Sequence, residues 1–282
     1  MVREFYIENE LGQRFSMMNI ESGCFLNEPT GLGYGYNTEY SQIGDNFIQN
    51  VRKIQQGQIN AELVFRTYDN YKKFIDFIES ANSLKFVYRV PYEDNTYTEY
   101  FKDIDISTIE KTEKGTDGLL RTPITFNCKS LWYEPQEVVY SIDLTTNELR
   151  WDFKWNPIFS AYDNRNIVFE NIGHTEAPFK LELDGEVVDP IITIIEDDDE
   201  TKQLDLTGLT ISSGEKFIYN TKDTEQAIYK KSSGTETNLF SFLNPNFINF
   251  FKLRKGVSTI RLEADGEITS GKLTIYVQYK AV

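Results

Sequence analysis

Apolar and polar positions alternate along most of this chain. In "QGQINAELVFRT", Ile59, Ala61, Leu63 and Phe65 fall on one face of an extended strand, with mostly polar residues between them. The segments "LKFVYRVP", "TYTEYFKDIDISTIEK" and "LLRTPITFNCKSLWY" also read as strands, and Ile124, Phe126 and Cys128 alternate inward in the last. Between the last two lies "TEKGTDG", where Asp117–Gly118 supplies the positive φ of a hairpin turn. At the N-terminus, "REFYIENELGQRFSM" predicts a strand, a turn across Asn9–Gly12 and a second strand.

One stretch changes period. In "TYDNYKKFIDFIESAN", Tyr68, Tyr71, Phe74, Ile75 and Ile78 recur at helical spacing. Thr67 stands at the N-cap position, and Asp69 lies in the first turn, where a carboxylate suits the helix dipole. The spacing predicts one amphipathic helix whose apolar stripe covers a face of the sheet.

Around residue 133 the texture shifts to "YEPQEVVYSIDLTTNELRWDFKWNPIFSAYDNRN", which holds Trp151 and Trp155. A boundary here divides the chain into domains of residues 1–133 and 134–282. Beyond it, "NIVFENIG", "FKLELDGEVVDPIITII", "KQLDLTGLTI", "KFIYNT", "QAIYKK", "STIRLEA" and "KLTIYVQY" read as short strands, with turn dipeptides at Asp184–Gly185 and Asp265–Gly266. Leu273, Ile275, Val277 and Tyr279 alternate at the end. Many short strands without a second amphipathic helix predict a β-sandwich. "NLFSFLNPNFINFFKL" is apolar but fits neither period, and Pro245 breaks any helix there. The fold class is mainly β: an N-terminal β-rich domain with one α-helix packed on a sheet, plus a C-terminal β-sandwich. No internal repeat is present.

Composition narrows the function. A formal net charge of −15 argues against nucleic-acid phosphate or an anionic membrane surface as the main partner. The N-terminus lacks the apolar core of a signal peptide, and no apolar stretch is long enough for a membrane helix. Synthesis in a cytoplasm without export is the expectation. The two cysteines, Cys24 and Cys128, have no metal spacing and read as small buried hydrophobes, with a single disulfide as the other reading.

Candidate chemistry is sparse. "GLGYGY" (residues 31–36) invites a phosphate-loop reading, but Gly31, Gly33 and Gly35 alternate strictly, and neither a Lys nor a helix follows. Alternating glycines leave bare backbone on one face, with Leu32, Tyr34 and Tyr36 on the other. That pattern suits close approach of another strand or chain, so residues 31–36 form a candidate assembly segment. The single histidine, His174, has no companion for a metal site and no nucleophile elbow. Carboxylates are too abundant for any glycosidase-type pair to stand out. "EDDDE" (196–200) is contiguous rather than spaced like a calcium loop, and reads as a solvated hairpin tip. No catalytic, cofactor or metal residue is assigned. The aromatics leave a second reading open, a carbohydrate-binding module for a bacterial surface glycan.

The order of features resembles a known family. The N-terminal hairpin, "GLG", the helix in "YDNYKKFIDFI", "FKDIDISTIEKTE" and "LLRTPITFNCKSLWY" are similar to the N-terminal domain of siphophage distal tail proteins. "FENIGHTEAPFKLELDGEVVDPIITI", "LTISSGEKFIYNT" and "LRKGVSTIRLEADGEITSGKLTIYVQY" resemble that family's second, galectin-like domain. The resemblance implies a homo-hexameric ring at the virion tail tip, its N-terminal domains forming a belt around a channel. It implies contacts with the tail tube protein, with a tail-associated lysin or spike hub, and with receptor-binding or baseplate proteins. Galectin sugar binding does not carry over, since the His/Arg cluster and stacking Trp are missing, and the label describes topology only. Acidic character fits a channel through which DNA passes without sticking.

Overall fold

The computed structural model describes residues 3–20, 23–94, 96–141, 166–198, 200–266 and 268–282. Trp151 and Trp155 lie outside these residues. The chain forms two compact units: Met1–Glu134 together with Tyr279–Val282, and Pro135–Gln278. Both are built mainly from strands, and α1 below is the one α-helix among the described residues.

The first unit holds β1 (Glu4–Asn9), β2 (Arg14–Ser16), β3 (Met18–Asn19), β4 (Cys24–Thr30), β5 (Tyr36–Ile43), β6 (Asn46–Ile54), β7 (Gln58–Phe65), α1 (Tyr68–Glu79), β8 (Leu84–Pro91), β9 (Tyr97–Ile109), β10 (Leu120–Cys128) and the start of β11 (Trp132–Ser141). An antiparallel sheet runs β2-β1-β8-β9-β10-β7-β4-β3. Strand β9 is long enough to serve two partners, β8 along its first half and β10 along its second. The sheet curls back on itself at Met17, whose N–H donates to the Phe5 carbonyl and whose carbonyl accepts from Leu26.

Helix α1 lies against this curl. Thr67 caps it as expected, its Oγ1 accepting from the Asn70 N–H at 3.1 Å. At this length an isolated helix is marginal in water, so packing holds it. Phe74 and Ile78 are buried, and the Phe74 ring lies 5.2 Å from Phe15 and 5.8 Å from Phe65. The core beneath contains Ile7, Ile59, Leu63, Phe86, Phe126 and Trp132. Cys24 and Cys128 are buried free thiols, which removes the disulfide reading. Burial raises both pKa values and keeps them inert.

The second unit holds the rest of β11, β12 (Asn166–Asn171), β13 (Phe179–Gly185), β14 (Val187–Glu196), β15 (Thr201–Asp205), β16 (Thr210–Ile211), β17 (Lys216–Asn220), β18 (Ala227–Ser232), β19 (Thr235–Asn238), a 3₁₀ turn (Phe240–Phe242), β20 (Gly256–Asp265) and β21 (Ile268–Tyr279), whose last residue rejoins the first unit. Strands β19-β18-β17-β13-β21 lie in one sheet, and β12-β20-β14-β15 in another with β16 beside β14. Leu181, Leu183, Leu273, Ile275 and Val277 are buried on the first, and Ile192, Ile194, Leu204 and Ile260 on the second. This alternation is what two sheets sharing a core require.

Both Asp-Gly turns act as corners. Asp184–Gly185 joins β13 to β14 and Asp265–Gly266 joins β20 to β21, and in each case the two strands belong to different sheets. Gly266 has φ +98°, and a Cβ on it would stand 2.6 Å from the Glu186 carbonyl oxygen beside the other corner.

Candidate assembly surface

The glycine segment joins β4 to β5, and only Tyr36 belongs to a regular strand. The strand before it is bent: Glu28 has φ +47°, and the register with β7 slips between Asn27 and Thr30. Gly31 follows at φ +79°, where a Cβ would overlap the Gln58 carbonyl oxygen. Gly31 therefore serves close backbone approach within the chain. The other two glycines differ. A Cβ on Gly33 meets nothing within 4 Å, and one on Gly35 meets only the end of the Gln55 side chain.

Two large side chains fix this segment. The Trp132 indole N–H donates to the Leu32 carbonyl at 2.8 Å, and Leu32 packs against the core. The Tyr36 ring carries the Arg52 guanidinium 3.8 Å from its centroid, and its hydroxyl accepts from Lys280 Nζ at 3.0 Å. The Lys280 hydrogen bond lowers the Tyr36 pKa below its ordinary value. Tyr34 is half exposed and meets Tyr36 edge-on.

From this root rises a hairpin that sequence reasoning missed. Among the described residues, strands β5 and β6 pair only with each other, turning at Gly44–Asp45 with Gly44 at φ +61°. The signal was present in "IGDN" between two polar-apolar runs. Its side chains are almost all exposed, among them Tyr40, Ile43, Phe47, Ile48 and Ile54. The register sets Tyr40 beside Phe47 on one face and Ile43 beside Ile48 on the other. Phe47 is 68% exposed and Ile43 61%. A two-stranded ribbon is marginally stable alone, and a solvated one carries polar residues on at least one face. Exposed apolar side chains on both faces of such a ribbon mark a candidate interaction surface.

The other candidates resolve plainly. His174 is exposed, with its backbone N–H bonded to the Gln278 carbonyl. "EDDDE" forms the β14–β15 tip, as expected of a hairpin, but it is not simply solvated. Glu196 is buried and pairs with Lys202 at 2.6 Å, while Arg254 reaches Glu196, Asp198 and Glu200 at 2.7, 3.3 and 2.7 Å. The carboxylates converge on cations from the chain itself. The exposed aromatics of the second unit, among the described residues, are Phe240, Phe242 and Phe247, without the Trp or Tyr that sugar stacking favours. Among the described residues no helix is long and apolar enough to cross a membrane.

Residues 4–129 match the family model of the distal tail protein N-terminal domain. Over those residues the chain is similar to the N-terminal domain of distal tail proteins. A chain from the phage P2 baseplate, solved in its activated conformation with Ca, shares the fold at a TM-score of 0.72 with 16% identity, covering 100% of both chains. The SPP1 Dit protein, described as a hub of the adsorption apparatus in phages infecting Gram-positive bacteria, aligns at a TM-score of 0.57 with 10% identity, over 96% of this chain and 98% of its own. A search of curated protein sequences returned no match.

Proposed function

We propose that this protein is the ring-forming hub of a phage tail tip. Six copies close a ring through their N-terminal domains, and the β5–β6 hairpin of each lies on its neighbour. The ring joins the tail tube protein on one side to the tail-associated lysin or spike hub on the other. The C-terminal domain, galectin-like in topology, carries receptor-binding or baseplate proteins outward. The role is structural, without catalysis or cofactor, and assembly takes place in the host cytoplasm.

The observation that carries this reading is the hairpin. Each large apolar side chain it exposes contributes about 1.5–3 kcal/mol when buried. Several together are comparable to the roughly 4–15 kcal/mol cost of association. A ring is the closed form of a head-to-tail contact, in which one surface of each copy meets a different surface of the next. Native mass spectrometry with and without the tail tube protein tests it. Hexamers in either condition support the ring, and monomers in both exclude it.

A further inference from the structure

The β14–β15 tip gathers more negative charge than its own cations cancel. In sequence it carries five consecutive carboxylates, Glu196 to Glu200. Among the described residues, Lys202 and Arg254 are the cations paired with them. Glu196, Asp198 and Glu200 each offer a carboxylate oxygen within 4.8 Å of the others. Asp197 is turned to the backbone instead, its Oδ2 accepting from the Val257 N–H at 3.1 Å.

The inner side of this cluster is under-satisfied. Glu196 stands directly opposite Ser258 in the β14–β20 register, which sets the Ser258 hydroxyl beside the Glu196 carboxylate on one face. Ser258 is 2% exposed and Glu196 5%. Among the described residues, neither Ser258 Oγ nor Glu196 Oε2 has a hydrogen-bond partner. Lys202 holds the other oxygen, Glu196 Oε1, at 2.6 Å. Arg254 Nε lies 2.7 Å from Glu196 Oε2, but its N–H does not point at that oxygen. The guanidinium thus brings charge to the buried end of the cluster without a hydrogen bond. Buried oxygens left in this way are costly. At the other end Asp198 and Glu200 are exposed, so the cluster opens to water.

We infer that Glu196, Asp198, Glu200 and Ser258 form a site for a hard divalent cation, calcium before magnesium, which takes the place of the Arg254 guanidinium. Three carboxylates and a hydroxyl are oxygen donors only, the set that calcium takes, and water completes the coordination on the open side. A planar guanidinium must bring each N–H into line with its acceptor, whereas a spherical ion needs no such alignment. One ion therefore satisfies Glu196 Oε2 and Ser258 Oγ together. Calcium accepts an irregular set of ligands drawn from a turn and a neighbouring strand, while magnesium demands near-ideal octahedral geometry and sheds its water reluctantly. Charge favours the exchange, because the carboxylates outnumber Lys202 and Arg254. Arg254 is itself partly exposed and leaves toward water.

The test is calorimetry of the full chain with calcium chloride, repeated with magnesium chloride at matched ionic strength. The expected result is saturable binding of one calcium at about 10⁻⁴–10⁻³ M, with magnesium at least tenfold weaker. Glu200→Gln, at an exposed position, should weaken calcium at least tenfold. Arg254→Gln should tighten it at least threefold, because the competing cation is gone. Ser258→Ala should raise the melting temperature in the presence of a chelator yet weaken calcium binding, a pair of effects that a merely structural hydroxyl does not give. No calcium binding through the millimolar range overturns the inference. Binding that survives Glu200→Gln, or that magnesium matches, is diffuse attraction to an acidic chain and overturns it as well. Unchanged or weaker calcium affinity in Arg254→Gln, or unchanged affinity in Ser258→Ala, does the same.

Discussion

The Trp132 indole donates its N–H to the Leu32 carbonyl across 2.8 Å, joining positions one hundred residues apart. This bond fixes the root of the β5–β6 hairpin to the core, because Trp132 is fully buried between Phe86, Tyr88 and the Lys102 ammonium. Trp132→Phe leaves the Leu32 carbonyl unpaired, at a cost of about 1–3 kcal/mol. Hydrogen exchange should quicken in residues 36–54 beyond what global destabilisation explains. Unchanged exchange there would show that the bond does not hold the hairpin.

Gly31 and Gly33 make a matched pair. Gly31→Val forces a β-branched residue into positive φ against the Gln58 carbonyl, and destabilises the isolated chain by about 2 kcal/mol or more in denaturant titration. Gly33→Val has open space and leaves the monomer within about 0.5 kcal/mol of wild type. A ring defect in Gly33→Val would then report contact with a neighbouring copy. Normal assembly would limit the glycine requirement to position 31.

The hairpin tip gives a cleaner test of assembly. Tyr40→Ser with Phe47→Ser removes the apolar pair from one face without touching the core, since both residues are mostly exposed. Thermal unfolding of the monomer should stay the same while hexamer formation falls at least tenfold by native mass spectrometry. Intact hexamers would place the ring contact elsewhere.

Glu134 sets a pH dependence. Burial raises its pKa above the ordinary carboxylate value, with the Tyr279 hydrogen bond opposing the shift in part. A raised carboxylate pKa means that the folded chain holds the proton more tightly. Its contribution is fully present below the unfolded pKa and disappears as pH rises through the folded one. Glu134→Gln should flatten this fall in chemical denaturation as pH rises above the ordinary carboxylate range. An unaltered pH profile would remove Glu134 from the account.

Lys102 is 3% exposed, and burial lowers its pKa. A depressed ammonium pKa penalises the folded state as pH falls through it, so the penalty is in force at neutral pH. The Trp132 face, 4.6 Å from Nζ, offsets part of it. Lys102→Met should raise stability by about 1 kcal/mol at pH 7, measured by denaturant unfolding. A loss instead would mean that the aromatic contact outweighs desolvation.

Strands that bury one face announced themselves by alternation, as Ile59 to Phe65 and Leu273 to Val277 do, and α1 by its period and its Thr67 cap. The hairpin did not. Its side chains are almost all exposed rather than set in this chain's core, and apolar residues stand on both faces, so no one-face alternation survives. The Asp-Gly dipeptides were legible as turns, but their role as corners was not, because sheet membership depends on pairings distant in sequence. The same holds for Trp132: a tryptophan at a strand start says nothing of the carbonyl it will find near residue 32. "EDDDE" was legible as a tip, whereas the arginine that gathers it lies more than fifty positions away.

The return of Tyr279–Val282 to the first unit has an evolutionary consequence. Tyr279 packs on Tyr100 and donates to Glu134, the last residue before the chain leaves. Exit and re-entry are thus tied at one spot, and residues 135–278 are an inserted cassette rather than an appended tail. Recombination that trades such a cassette at these two joints keeps the host fold and its exposed hairpin. The inserted unit can then change without rebuilding the unit that carries it.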